Sequence, residues 1–382
     1  MRIAKAYARA STYLMPAITA FMIFIIIVGI AATISDVSAR ENARAIGIRG
    51  IFLIPGLNPF LPITYTLVAL VISVFIHEAG HGIVARVYGI KVESTGIAFV
   101  LFVPIGAFVN LDKDGLEKAT LKQKSAVLTA GPLNNIILAA ISLALLYVVV
   151  STLNPIPTVD VPKNGLEINS IAKGSLAEKI GLTNGSSILS IGQTEIQSIN
   201  ELSQTLRSNI GKQPMIIWQD KDKNQRSNSL SIPADTDPTK PILGVTTRPI
   251  VDPALALEEY QKSFTFGTVQ ERMGLLALLA PPTLKLDVPF SDFMAPKYES
   301  NVFGSSFPMI ANTLFWLWFI NFNLGLFNAL PIAFLDGGQL YGSLIESRSK
   351  IDKNHLRQIS SAVSTIMIVI VAMSIFLPYL PF

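Results

Sequence analysis

Two of the chain's three histidines lie four residues apart with an acid between them, in the run His77-Glu78-Ala79-Gly80-His81. On a helix, side chains at i and i+4 leave the same face about one turn apart, so both imidazoles can reach a single ion. Glu78 sits beside them, where a carboxylate can take a proton from a water that the ion activates. Metal-assisted hydrolysis is the chemistry such a trio could perform. The same five letters can occur by chance in a soluble helix, where the histidines would simply pack. Here they follow the apolar run TYTLVALVISVFI (64–76), and ionisable groups at membrane depth are costly and read as functional by default.

A catalytic zinc needs a third protein ligand and an open position for water. Cysteine is absent, so the ligands must offer nitrogen or oxygen. His355 lies in the basic run SRSKIDKNHLRQ and reads as a solvated residue. The remaining candidate is Asp336 in NALPIAFLDGGQL (328–340), where an apolar run breaks at Pro331 and a lone carboxylate precedes Gly337 and Gly338. Those glycines would permit close backbone approach. Read by itself, the segment is equally a helix end capped by Asp-Gly-Gly.

The elements that must position these groups are mostly membrane helices. Half of the 382 residues are apolar, only 15% are charged, and the net charge of +4 is spread without a dense basic block. Soluble domains carry about 25% charged residues, and scattered lysines beside apolar runs suit membrane flanks, not a nucleic-acid surface. Spans are expected at 12–34, 64–89, 125–151, 307–330 and 361–380, each near the roughly 20 residues a crossing needs. Whether 266–285 adds a sixth is open. The run 96–109, broken by Pro104 and Gly106, is too short to cross and reads as a strand pair dipping into the membrane. Residues 36–50 are polar, and 51–63 read as interfacial.

Between the third and fourth spans the sequence turns hydrophilic, alternating short apolar runs with turn signals around a helical pattern, SINELSQTLRSNI. A small α+β domain is expected there. Four regions follow: an N-terminal membrane half (1–153), this soluble domain (154–250), a partly interfacial linker (251–305) and a C-terminal membrane half (306–382). The loop 90–124 holds five lysines, and 336–360 holds Arg348, Lys350, Lys353 and Arg357. The positive-inside rule puts both on the cytoplasmic side of the cell membrane with the N-terminus, and the soluble domain outside. Arg40, Arg44 and Arg49 run against that orientation.

Taken together, HEAGH (77–81), GPLNN (131–135) and Asn328-x-x-Pro331 followed by Asp336-Gly337 resemble, in order, the motifs of the site-2 protease family of intramembrane zinc metalloproteases. The likeness covers the membrane core. It implies His77, His81 and Asp336 as zinc ligands, Glu78 as catalytic base, and Asn135 and Asn328 facing the cleft. Residues 166–209 are similar to a PDZ domain, with Gly185-Ser186 where Gly-Asp is usual. The expectation is therefore a five- to six-span helical protein with a membrane-embedded hairpin and a PDZ-like insert. It would bind Zn2+ and cleave transmembrane protein substrates in the bilayer. Asn135 would steady the developing oxyanion and Asn328 the substrate backbone, while Gly96, Pro104 and Gly106 of the hairpin would contact the unwound substrate. The insert would bind a peptide or a substrate ectodomain. A second reading is an inactive scaffold that recruits partners through the insert, although such a protein has no need of Glu78 and a full ligand set.

Overall fold

The computed structural model describes residues 2–51, 56–58, 60–100, 103–156, 165–238, 240–264, 282–283, 287–348 and 352–380. The chain divides into two compact units: Met1–Thr152 with Leu275–Lys285 and Phe303–Phe382, and Leu153–Gly274 with Leu286–Val302.

The first unit is helical. Its elements are α1 (Arg2–Ser35), α2 (Val37–Ile51), α3 (Ile63–Val87), β1 (Val92–Val100), β2 (Val103–Leu111), α4 (Lys113–Lys118) and α5 (Leu121–Ser151). After the second unit come the helices α9 (Phe307–Asn328), α10 (Asp336–Arg348) and α11 (Lys353–Phe376). Among the described residues, five helices are long and apolar enough to cross a membrane: α1, α3, α5, α9 and α11. Large apolar side chains such as Phe24, Phe75, Ile141 and Ile366 stand exposed on them. In water that would be a liability; against lipid it is the expected outer face. This is a multi-pass membrane protein.

Helix packing in lipid depends on small residues and polar links, because the hydrophobic effect no longer separates inside from outside. Gly80 of α3 faces α5 so closely that a Cβ would lie 2.7 Å from the carbonyl oxygen of Ala130. Asn134 donates to the Ile76 carbonyl at 3.0 Å, and Tyr7 of α1 donates to Asn134 at 2.6 Å. Ser11 and Thr129 join α1 to α5 at 2.7 Å.

β1 and β2 pair antiparallel, with Thr95 opposite Val109 and Gly96 opposite Phe108. The expected strand pair is present, and it reaches four residues further on its N-terminal side. Two other segments differ from expectation. Residues 36–50, read as a polar stretch, form α2, which breaks at Gly47 with φ 74°. Residues 251–305, read as a linker, contain α8 (Pro253–Lys262), capped by Asp252. They also contain the strand β10 (Tyr298–Ser300), which pairs with β3 (Leu153–Pro155). That pairing is non-local, so no short-range pattern announces it. Most of 266–285 lies outside the described residues, as does part of 51–63.

The second unit carries a sheet in the order β8-β7-β5-β4-β9, with β6 added beside β5. The strands are β4 (Leu166–Ile171), β5 (Ser187–Ile191), β6 (Thr194–Glu195), β7 (Met215–Gln219), β8 (Gln225–Ser229) and β9 (Val245–Pro249). The helices α6 (Leu176–Lys179) and α7 (Ile199–Ser208) lie among these strands in sequence, and α8 and the β3–β10 pair belong to the same unit. Leu166 and Ile168 of β4 and Ile216 and Trp218 of β7 alternate inward, and with Ile188 and Ile191 of the bulged β5 they form its core with Leu202 and Leu206 of α7. A capping box, Ser198 with Glu201, starts α7 where SINE predicts it. Ser186 is fully buried, with its hydroxyl 3.0 Å from that of Thr183.

Candidate metal centre

The α3 helix carries His77 and His81 on the face turned to α5. Their rings meet edge to face with centroids 4.9 Å apart. They fit because residue 131 is glycine: a Cβ there would lie 2.3 Å from His81 Nε2 and 2.8 Å from His77 Nε2. His81 Nδ1 sits 2.7 Å from the Val127 carbonyl. A carbonyl only accepts, so Nδ1 carries a proton, and Nε2 is the nitrogen that turns to a metal when the ring is neutral.

Asp336 arrives from the far end of the sequence as the first residue of α10. The loop before it is held by three side chains. Thr19 of α1 donates to the Ala329 carbonyl at 2.8 Å, Tyr341 donates to Thr19 at 2.7 Å, and Ser364 of α11 accepts the Ala333 N–H at 2.9 Å. Gly337 and Gly338 then let the helix begin pressed against this loop. A Cβ on either would fall 2.2 Å from the Ala329 oxygen or 2.0 Å from the Ile332 oxygen.

The result is one cluster. His77 Nε2 and His81 Nε2 lie 3.1 and 3.4 Å from Asp336 Oδ2 and 3.2 Å from each other. Among the described residues these three are the group that could hold a metal ion. Tetrahedral ligands about 2.0–2.1 Å from zinc stand about 3.3 Å apart, so the spacing fits. The chemistry fits too, because two imidazole nitrogens and one carboxylate oxygen are a donor set that zinc takes, with a fourth position left for water. His355 is elsewhere, exposed and 3.9 Å from Asp352.

A cavity of about 370 Å³ opens on the cluster, with Glu78, Val109, Leu128, Asn328, Phe334 and Gln339 among its walls. Glu78 accepts the Val109 N–H from β2 at 2.9 Å. Asn328, at the end of α9, reaches the cavity as expected. Asn135 does not line it. This asparagine is fully buried one turn beyond Gly131, and both its amide atoms lack a hydrogen-bond partner among the described residues. Gly131 is the residue of that face that meets the imidazoles, and Asn135 lies one helical turn further along α5. Gly96 accommodates the Phe108 ring, since a Cβ would lie 2.6 Å from Cζ, and it lines a different cavity between α3 and the hairpin; Gly106 lines neither cavity, and the side chain of Pro104 lies outside the described residues. Three contributors were not singled out from sequence: Gln339, Phe334 and the main chain of Val109. Gln339 stands three residues after Asp336 on the same helical turn, a spacing that could have flagged it.

Comparison with known proteins gives the family. A protein of Methanocaldococcus jannaschii, itself uncharacterized, is 26% identical over 85% of this chain and 67% of its own length. A provisionally named zinc metalloprotease of Campylobacter jejuni is 28% identical over 86% of this chain and 95% of its own. A zinc metalloprotease of Mycobacterium bovis is 28% identical over 40% of this chain and 47% of its own. The model of peptidase family M50 matches residues 65–371, a stretch that begins just before the histidine pair and runs well past Asp336. Convergent donors and a match of that extent lead to one conclusion: this chain belongs to peptidase family M50 and is a zinc metalloprotease.

Proposed function

We propose that this protease cuts peptide bonds within or beside the transmembrane helices of other membrane proteins, using zinc held by His77, His81 and Asp336. The observation that carries the reading is the approach of three donor atoms to 3.1–3.4 Å from helices that a bilayer would surround. Bound there, zinc supplies Lewis acidity that polarises a carbonyl and acidifies water. Glu78, on the wall of the same cavity, accepts the proton of the attacking water and returns it to the leaving amine. The amide of Asn328, a residue lining that cavity, would hydrogen-bond the substrate carbonyl as charge develops, the role the sequence reading gave to Asn135.

A helical substrate hides its main chain in internal hydrogen bonds, so it must unwind before it can be cut. The β1–β2 hairpin, lying at membrane depth, offers strand edges that replace the lost bonds. The second unit is PDZ-like in this reading and extracytoplasmic. Its edge strand β9 and helix α7 flank a groove of about 310 Å³ between Leu202, Leu206 and Val245, with Arg207 and Lys240 at hand for an acidic group. A peptide or substrate ectodomain would add a strand there.

Metal analysis tests the centre. Wild type should hold about one zinc per chain, and His77→Ala, His81→Ala and Asp336→Ala should each lose it. Zinc binding without cleavage of any single-span substrate would favour the scaffold reading.

A further inference from the structure

The first helix, α1, carries none of the three proposed ligands, yet one of its faces is tied to each element that does. Tyr7, Ser11, Met15 and Thr19 stand four residues apart, on one of the i+4 ridges along which helices pack. At one end Tyr7 Oη lies 2.6 Å from Asn134 Oδ1 and 3.0 Å from the Ala130 carbonyl of α5. Asn134 in turn donates to the carbonyl of Ile76, the residue before His77. Ser11 meets Thr129, two residues before Gly131. Midway, Met15 is buried among Leu128 of α5, Ala329 and Leu340 of α10. At the far end Thr19 donates to the Ala329 carbonyl and accepts from Tyr341 of α10, the helix that begins with Asp336.

The bond at Thr19 answers a specific need. A carbonyl at the end of a helix has no donor within that helix, and lipid offers no water in its place. Ala329 is such a residue, the C-cap of α9, and it is fully buried. Thr19 supplies the donor. Hydrogen bonds between helices in lipid each contribute modestly to stability; several on one ridge fix position instead. From Tyr7 to Thr19 the helix rises about 18 Å. One rigid element therefore joins the histidine helix to the aspartate loop.

We infer that α1 aligns the two halves of the metal centre. Tyr7, acting through Asn134, holds the helix of His77 and His81; Thr19, with Tyr341, holds Asp336; the fit of the three donors to one ion depends on both ties. These are positioning residues, and their hydroxyls bind neither the ion nor the substrate. The inference rests on the assignment of His77, His81 and Asp336 as ligands.

Titration of the metal-free full chain in detergent with Co2+ gives a readout apart from activity. Wild type should bind about one ion per chain, with the intense visible bands of four-coordinate cobalt. No such uptake by wild type would remove the ligand assignment itself. Tyr7→Phe/Tyr341→Phe deletes one hydroxyl at each end of the ridge. It should bind Co2+ about 10–100-fold more weakly, with fainter bands; wild-type affinity and spectrum would overturn the inference. Tyr13→Phe makes the same deletion on the opposite face of α1, where the side chain is 81% exposed, and should change neither. An equal loss there would overturn the inference too. Thr19→Val should weaken binding to a similar extent, and Thr19→Ser, which keeps the hydroxyl, should retain wild-type binding. Equal losses in Thr19→Val and Thr19→Ser would assign the effect to packing and refute alignment by the hydrogen bond, even if the tyrosine pair folds poorly.

Discussion

Gly131 and His81 touch where no side chain could stand between them: a Cβ on residue 131 would come within 2.3 Å of the imidazole Nε2. The atom at risk is the one that faces Asp336. Gly131→Ala must therefore push both rings or part α3 from α5. Displaced ligand geometry costs about 10–100-fold in metal affinity. Competition with a chelator should show a loss of that order, and wild-type affinity would mean the helices yield without cost.

Glu78 should separate binding from chemistry. Glu78→Gln keeps an oxygen that can accept the Val109 N–H, so the local fold and zinc content should survive. Proton transfer by a positioned group is worth about 10²–10⁴-fold, and turnover should fall by that amount. Metal analysis beside a cleavage assay checks both halves. Full turnover in the purified variant would remove Glu78 from the mechanism.

How legible all this was in the sequence depends on the range of the interaction. HEAGH sits on one helix, and its geometry follows from a period of 3.6. The capping box at Ser198 and the alternation in β4 and β7 are equally local. Asp336 was a candidate only because a proline break and two glycines marked its loop; its meeting with α3 depends on Thr19 of α1 and Ser364 of α11, together with Tyr341 on its own helix. The β3–β10 pair joins residues more than a hundred positions apart and left no periodic trace. Asn135 failed as a cleft residue for a different reason. A motif fixes its place along α5 but not which turn of that helix meets the metal, and the structure gives that turn to Gly131.

Asp220 offers a test in the second unit, outside the spans. Its carboxylate accepts the N–H of Asn224 and of Asp222, and the Nε of Arg226, at 2.9–3.0 Å. The Asn224 bond is the main influence holding its pKa below the usual 3.8. Because the folded value is depressed, the turn's stabilisation is complete above the unfolded pKa and fades as pH falls through the folded one. Hydrogen exchange should show the 220–224 turn protected at neutral pH and opening below about pH 3.8. Asp220→Asn should be open at both, and a wild-type turn equally protected at pH 7 and pH 2 would contradict the assignment.

The two asparagines on adjacent helices should behave differently because only one of them reaches the cavity. Asn328 lines it, and loss of a donor to a developing oxyanion costs about 10²–10³-fold in kcat. Asn328→Leu should show that loss with zinc unchanged. Asn135 is buried away from the cavity with its amide unpaired, and an unpaired buried amide costs folding free energy of roughly 1–3 kcal/mol. Asn135→Leu, of similar bulk and without that burden, should melt no lower than wild type and lose less than about tenfold in kcat, well short of an oxyanion donor's share. A kcat loss for Asn135→Leu as large as for Asn328→Leu, at wild-type zinc content and melting temperature, would mean that α5 turns during the reaction to bring residue 135 into contact with substrate.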